Sequence, residues 1–380
     1  MADKYRVGVI GCGTMTRRHV EGYINSGRYE IAALADLDAS AMQEMDARFS
    51  IRTKHYADAR AMLDAEKLDV VSVGTWHTGH SPWTVAAAAR KPKAILCEKP
   101  MADTLAHADE MLIACNRSKV KLVIGHQRRF LPAYTMAKDL IAQGAIGKVS
   151  LMLCFGGAGL PNYSSHQTDM FRYLLNDAEC RWVMGNVERK TDRFERNTRI
   201  EDAAVAVFEF DGGARAIILS DVVPSYYQGA LIYGTEGQIN LTTEELQLLN
   251  AETRGAWRSH RPDGRFFKLA AEGDEFEWRE GGAAQAAELA EWIDGTAPTH
   301  RGRAENGYKA LEMIHAVYES ARCHERVTLP MQTRINPLDL MVESGHLAPE
   351  RPGRYDIRAF LLRGERLWDD GSAPGGATEP

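Results

Sequence analysis

The stretch Tyr5–His19, YRVGVIGCGTMTRRH, decides how this chain is read. Val7, Val9 and Ile10 make a short apolar run, the pattern of a strand buried in a parallel sheet. Gly11-Cys12-Gly13 follows at once, and Arg17, Arg18 and His19 open a helical pattern. A glycine-rich turn between a first strand and a first helix is the setting in which a dinucleotide fingerprint carries meaning. Gly11 permits the tight turn. Gly13 lets the backbone approach a pyrophosphate at the helix N-terminus, with Cys12, Thr14 and Met15 beside it. Thr16 stands at the third glycine of G-x-G-x-x-G, a position that serves close helix–strand packing and tolerates a small residue.

Outward from this turn, Glu30 to Ala35 reads as the next buried strand, and Asp36 stands at its end. An acid there is placed to accept hydrogen bonds from the adenosine ribose hydroxyls and to repel a 2′-phosphate. Leu37 follows, with no Arg or Lys beside it to neutralise such a phosphate. NAD is therefore the expected cofactor, ahead of NADP.

The alternation continues. Ala39 to Phe49 and Asp58 to Leu63 are helical in character, with a short strand near His55 between them. Leu68 to Val73 is a buried strand, Thr78 to Ala89 a helix, Ala94 to Cys97 a strand, Leu105 to Asn116 a helix and Leu122 to Ile124 a strand. Such a pattern predicts an α/β fold with a parallel sheet covered on both faces and a binding crevice beyond the carboxyl ends of its strands. Those ends carry Gly11 and Gly13, Asp36, then Thr75, Trp76 and His77 with His80 a turn later, then Glu98 and Lys99, then His126, Gln127, Arg128 and Arg129. Thr75, Trp76, His77, His80, Glu98, Lys99, Gln127 and Arg128 join the glycine turn as expected cofactor contacts. Trp76 either stacks on a ring face or fills a gap in the core.

From Val149 the period changes to that of successive strands: 150–154, 182–184, 203–210, 214–219, 230–233 and 238–241, with Gly212-Gly213 and Gly234-Thr235-Glu236-Gly237 as turns. Strands without crossover helices predict a large antiparallel or mixed sheet, followed by helices at 283–293 and 304–322. The alternation of Ala204-Val205-Ala206-Val207-Phe208 leaves one face of that sheet free for another subunit. The expected division is a dinucleotide-binding domain at 1–127, an α+β substrate-binding and oligomerisation domain at 128–330, and a C-terminal extension at 331–380. Short elements are expected at 339–343 and 356–362, and the last residues, about 12 of them, have a disordered composition.

The 380 residues carry a net charge of −6, which makes no electrostatic case for nucleic acid or an anionic membrane. No apolar run approaches the roughly 20 residues of a membrane span. MADKYRV runs into a strand without a signal-peptide core, so a cytoplasmic location is expected. The six cysteines are scattered, as reduced structural thiols would be. His77 and His80 lie close together, but no carboxylate or cysteine joins them, and no metal site is expected.

The combination of Gly11-Cys12-Gly13 with His19, Ala35-Asp36, Thr75 with His80, Cys97-Glu98-Lys99-Pro100, Gln127-Arg128-Arg129-Phe130 and Gly234-Thr235-Glu236-Gly237 resembles the Gfo/Idh/MocA family of NAD(P)-dependent oxidoreductases over roughly residues 5 to 330. The resemblance implies a Rossmann domain followed by an open-faced sheet domain, a sugar or cyclitol substrate, and a homodimer or homotetramer formed through the open sheet face. It also implies that Lys99 contacts the reacting hydroxyl and that His166 is the proton acceptor. The second catalytic motif of the family aligns with Asn162 to Asp169, in which His166 and Asp169 match, Asn162 replaces an Asp and Ser164 a Gly. Asn162, Tyr163, Asp169, Arg129 and Trp76 are the expected substrate contacts.

The residue types agree with these roles. Oxidising an alcohol requires loss of a proton as hydride leaves, and an imidazole suits that task near neutral pH. An ammonium stabilises developing alkoxide charge. Asn162 can donate to and accept from sugar hydroxyls, but it cannot stabilise an imidazolium through a full charge. The leading expectation is an NAD-dependent dehydrogenase of a secondary alcohol in a sugar, cyclitol or derivative. The alternatives are a hydrolase or lyase using bound NAD transiently, and a non-enzymatic dinucleotide-sensing regulator.

Overall fold

Between Tyr5 and Ile124, strand and helix alternate in the order β1 (Tyr5–Ile10), α1 (Thr14–Ser26), β2 (Tyr29–Ala35), α2 (Ala39–Phe49), β3 (Lys54–Tyr56), α3 (Ala59–Ala65), β4 (Val70–Val73), α4 (His77–Ala88), β5 (Ala94–Cys97), α5 (Leu105–Ser118) and β6 (Lys121–Ile124). The computed structural model describes residues 4–222 and 229–359. These strands pair in parallel in the order β3-β2-β1-β4-β5-β6. The order reverses between β1 and β4, so a crevice opens there beyond the strand ends. Side chains start the helices where the chain leaves a strand. Asp38 accepts the Ser40 N–H at α2, Asp58 the Arg60 N–H at α3, and Thr104 the His107 N–H at α5.

The second half runs α6 (Pro132–Ala142), β7 (Val149–Gly156), α7 (Ser165–Leu174), β8 (Cys180–Glu188), β9 (Thr191–Glu195), β10 (Thr198–Arg199), β11 (Ala203–Phe210), β12 (Arg215–Ser220), β13 (Ala230–Gly234), β14 (Gly237–Leu241), β15 (Leu246–Asn250) and β16 (Arg258–His260). It closes with α8 (Leu269–Glu272), α9 (Phe276–Asp294), α10 (Ala304–Cys323), β17 (Val327–Thr328), α11 (Pro337–Glu343) and β18 (Arg351–Asp356). The broad sheet has the order β16-β15-β14-β13-β7-β12-β11-β8-β17. It is mixed, since β12 runs parallel to β7 while its other pairs are antiparallel. One face carries α7 and α10: Phe171, Leu174, Ile314 and Val317 pack with Met152, Phe208 and Ile218 in one core. The other face is open. Along β11, Ala204, Ala206 and Phe208 are buried, whereas Val205 is 43% exposed.

Several elements go beyond the sequence reading. β8 continues past Met184, where the expected strand ends, through Gly185-Asn186. Gly185 stays in the strand because Val317 of α10 packs onto it, and a Cβ there would lie 2.8 Å from Val317 Cγ1. α6, which begins with Pro132 in its first turn, and the β15–β16 hairpin are absent from the sequence reading. α9 starts seven residues earlier than expected, at Phe276 rather than 283. It packs on the first domain, where Ala286, Leu289 and Ala290 share a core with Val7, Val9 and Val20.

The C-terminal extension returns to the body of its own chain. Met331 N–H donates to Glu312, Leu338 and Met341 of α11 are buried, and β18 pairs in parallel with β9. The strand at 351–356 precedes the short element expected at 356–362. Backbone pairing with β9, rather than the apolar residues that follow, selects it. Residues 360–362 and the terminal stretch expected to be disordered lie outside the described residues.

Candidate active site

The glycine turn fits a dinucleotide on three observations. Gly11 has φ +85°, and a Cβ there would lie 2.8 Å from the Gly74 carbonyl oxygen, so glycine is required. Gly13 is the N-cap of α1 with no side-chain cap and no acid in the first turn, and space is open around the Cβ it lacks. The helix therefore begins with uncapped N–H groups facing open space, an anion site. Thr16 explains the missing third glycine. It is fully buried, its hydroxyl lies 2.6 Å from the Gly11 carbonyl oxygen, and its methyl group occupies the place of a Cβ at Gly74, 2.1 Å away. The small residue that close packing demands is supplied by Gly74 at the end of β4 instead. Asp36 stands at the end of β2, and its carboxylate accepts the Cys12 N–H at 2.6 Å and the Asp38 N–H at 2.9 Å.

Lys99 leaves the end of β5 with a cis peptide to Pro100. Its Nζ donates to the carbonyl oxygen of Asn162 at 2.9 Å and to the amide Oδ1 of Asn162 at 3.0 Å. Asn162 lies in a π-helical turn, Leu160–Ser164, that runs directly into α7. The first turn of α7 carries His166, which is buried and whose Nδ1 has no hydrogen-bond partner. The two expected catalytic side chains thus come from different domains onto one crevice. Asn162 addresses the ammonium. Burial lowers Lys99 to about 8, with Glu98 and Glu195 opposing and Arg196 and Arg128 reinforcing the shift. Burial, then the charges of Lys99 and Arg128, hold His166 well below its ordinary value, so its ring is neutral at pH 7. The ring of His126 meets that of His166 edge to face at 5.8 Å.

Other strand-end residues have defined partners. Glu98 Oε1 lies 2.8 Å from His19 Nε2, whose Nδ1 lies 2.7 Å from Ser72 Oγ, and Glu98 Oε2 accepts the Lys99 N–H at 3.0 Å. Burial opposes the charged form of Glu98, but the His19 hydrogen bond together with the charges of His19, Lys99 and His80 outweighs it and holds the carboxyl below its ordinary value. Both ring nitrogens of His80 face carbonyl oxygens, of Pro100 at 2.8 Å and Thr75 at 3.0 Å, so this imidazole links the loops after β4 and β5. Met15, His19, Glu98 and Gln127 line one recess beside α1. The Arg128 guanidinium lies over the Tyr163 ring at 5.0 Å. Trp76 is the half-buried N-cap of α4.

Three expected contacts are turned elsewhere. Arg129 and Asp169 pair with each other, with Arg129 Nε 2.9 and 2.8 Å from the two carboxylate oxygens. Arg129 also reaches Asp177 at 2.8 Å. Both members of this buried pair are 2% exposed or less, so they brace the start of α7 from within the core. His77 faces the second domain, with Nε2 3.5 Å from Glu195 Oε2 and Nδ1 3.5 Å from Thr198 Oγ1. Glu195 and Arg196, whose charges act on Lys99, are absent from the sequence reading. The signal that could have found them is weak: an Arg-Asn pair at a two-residue turn. Among the described residues, no group of three or more His, Cys, Asp or Glu side chains could hold a metal ion, and no helix is long and apolar enough to cross a membrane.

Comparison with known proteins places this geometry among relatives. Residues 5–126 match the model of an oxidoreductase family with an NAD-binding Rossmann fold, and residues 155–329 match the C-terminal alpha/beta domain of the same family. The chain is 29% identical over 347 residues to the D-apiose dehydrogenase of Paraburkholderia graminis, covering 84% of this chain and 88% of that protein. It is 26% identical over 250 residues to the myo-inositol 2-dehydrogenase of Thermotoga maritima, covering 62% and 74%. Its fold is that of a levoglucosan dehydrogenase solved with NADH and levoglucosan, with a TM-score of 0.73 at 21% identity over 87% of this chain and 100% of that one.

Proposed function

From the premise that this chain belongs to the Gfo/Idh/MocA oxidoreductase family, we propose that it is an NAD-dependent dehydrogenase of a secondary alcohol in a sugar, cyclitol or sugar derivative. The observation that carries this reading is the meeting of Lys99, from the end of β5, with the turn that leads into His166. A bound nicotinamide supplies the hydride acceptor. The backbone of Gly11 to Met15 would hold the pyrophosphate, and Asp36 the adenosine ribose, favouring NAD over NADP.

The protein's own part is the proton and the charge. A substrate hydroxyl between Lys99 and His166 gives its proton to the imidazole, which burial keeps neutral and ready to accept. The Lys99 ammonium stabilises the alkoxide that develops as hydride leaves. Asn162 holds Lys99 toward the substrate and offers its amide to neighbouring hydroxyls. Two copies of the chain, or four, join through the open face of the broad sheet.

The test is a panel of D-apiose, myo-inositol and levoglucosan, with NADH absorbance followed. Wild type should reduce NAD with at least one of them. Lys99→Ala and His166→Ala should each lower kcat by about 10²-fold or more while NAD affinity stays nearly constant. Near-normal turnover in His166→Ala would assign the proton to another group, Tyr163 first.

A further inference from the structure

The family match ends at residue 329, yet the extension beyond it adds a strand to β9 and braces the turn that follows it. β18 lies along β9, with Tyr355 opposite Arg193 and Asp356 opposite Phe194. Arg354 stacks its guanidinium over the Phe194 ring at 4.0 Å. β9 and β10 are joined by a two-residue turn, with Glu195 paired to Thr198 and both Arg196 (φ 46°) and Asn197 (φ 63°) left-handed. Asn tolerates that conformation, whereas an arginine there is strained and needs support from outside the turn. Asp356, itself buried, gives that support: its carboxylate accepts the Arg196 N–H at 3.2 Å and the Asn197 N–H at 2.7 Å.

Both ends of the turn approach His77, just beyond the end of β4. Glu195 is fully buried, accepts from Arg196 Nη1 at 2.5 Å and approaches His77 at the start of α4. The charges of Glu195 and Arg196 both act on Lys99, which otherwise faces Glu98 and Arg128 with His126 and His166 nearby. We propose that β18 is part of the active site: Asp356 is a positioning residue that holds the Glu195–Thr198 turn as the wall over Lys99 that meets the substrate. This rests on the reading of Lys99 as the group at the reacting hydroxyl.

Acetic anhydride labelling of Lys99 across a pH series, read by mass spectrometry, needs no substrate and so stands apart from the dehydrogenase assay. Wild-type Lys99 should titrate at about 8. Asp356→Ala should raise its labelling rate about fivefold or more, through local opening of the turn, with Lys54 and Lys121 unchanged. Asp356→Asn, which keeps one acceptor, should lie between. Arg196→Gly relieves the left-handed backbone and removes a cation, so it should move the Lys99 midpoint upward. With any panel sugar that is oxidised, Asp356→Ala should raise the sugar KM about tenfold and leave the NAD KM unchanged. Lys99 labelling unmoved in Asp356→Ala overturns the proposal, and so does raised labelling with an unchanged sugar KM. If Asp356→Ala fails to fold, Arg196→Gly decides in its place, and an unmoved midpoint overturns the proposal. If no sugar is oxidised, the functional reading falls, while the labelling still decides whether β18 holds the turn over Lys99.

Discussion

Lys99 and His166 are both pushed toward their neutral forms by burial and by the cations around them, and for the proposed chemistry these shifts have opposite consequences. A proton acceptor is active when neutral, so lowering His166 extends activity toward acid pH. An electrostatic stabiliser is active when charged, so lowering Lys99 cuts activity on the alkaline side. The profile of kcat/KM, which reports free-enzyme groups, should therefore fall as pH rises through about 8. Lys99→Arg, whose guanidinium keeps its charge, should remove that limb from whatever activity it retains. A profile that rises through the same pH would instead make the neutral lysine the proton acceptor. Asp36 offers a second test at this scale. Its carboxylate accepts the Cys12 N–H, so it touches the glycine turn proposed to hold the pyrophosphate, in addition to its proposed contact with the ribose. Asp36→Ala should weaken NAD binding by about 1 kcal/mol or more and narrow the gap to NADP, measured by titration of each cofactor. Tighter wild-type binding of NADP than of NAD would refute the assignment.

Among the elements, the crossing of α1 with α9 ties the two halves together. The helices approach so closely at Gly22 and Gly282 that a Cβ on Gly22 would lie 2.5 Å from the Gly282 carbonyl oxygen. Alanine is the better helix former by about 1 kcal/mol, so propensity alone would make Gly22→Ala stabilising. Contact with backbone rather than with a flexible side chain decides the opposite sign, because the helices must separate. Gly22→Ala should destabilise the fold by about 1–3 kcal/mol in chemical denaturation. A variant as stable as wild type would mean that the crossing is looser than its geometry. The same crossing explains why α9 begins before 283: its first turns are laid against the first domain, a contact that no periodicity within residues 276–282 announces.

For the whole molecule, the open face of the broad sheet is the feature without a partner among the described residues. Strand register aligns Met184, Val207, Ile217, Leu153 and Leu231 across neighbouring strands, and these side chains are exposed or half-buried. An apolar row of this kind on a flat sheet marks an interaction surface. With the second copy of the proposed function seated there, Val207→Glu together with Ile217→Glu should shift the solution mass toward that of one chain in light scattering. Retention of the wild-type mass would place the interface elsewhere.

Strand period and the glycine turn were legible in the sequence because each is set by residues a few positions apart: Gly11 in its left-handed turn, the alternation of β11. So was the sharing of one crevice by Lys99 and the His166 segment, through a family pattern spread along the chain. What the tertiary structure alone decided is which side chains meet. Gly74 makes room for Thr16, Asp169 is taken up by Arg129, His77 turns to Glu195, and Asp356 reaches back to Arg196. These partners lie tens to more than a hundred residues apart, and their contacts depend on how sheets and helices pack in space, which local periodicity does not encode.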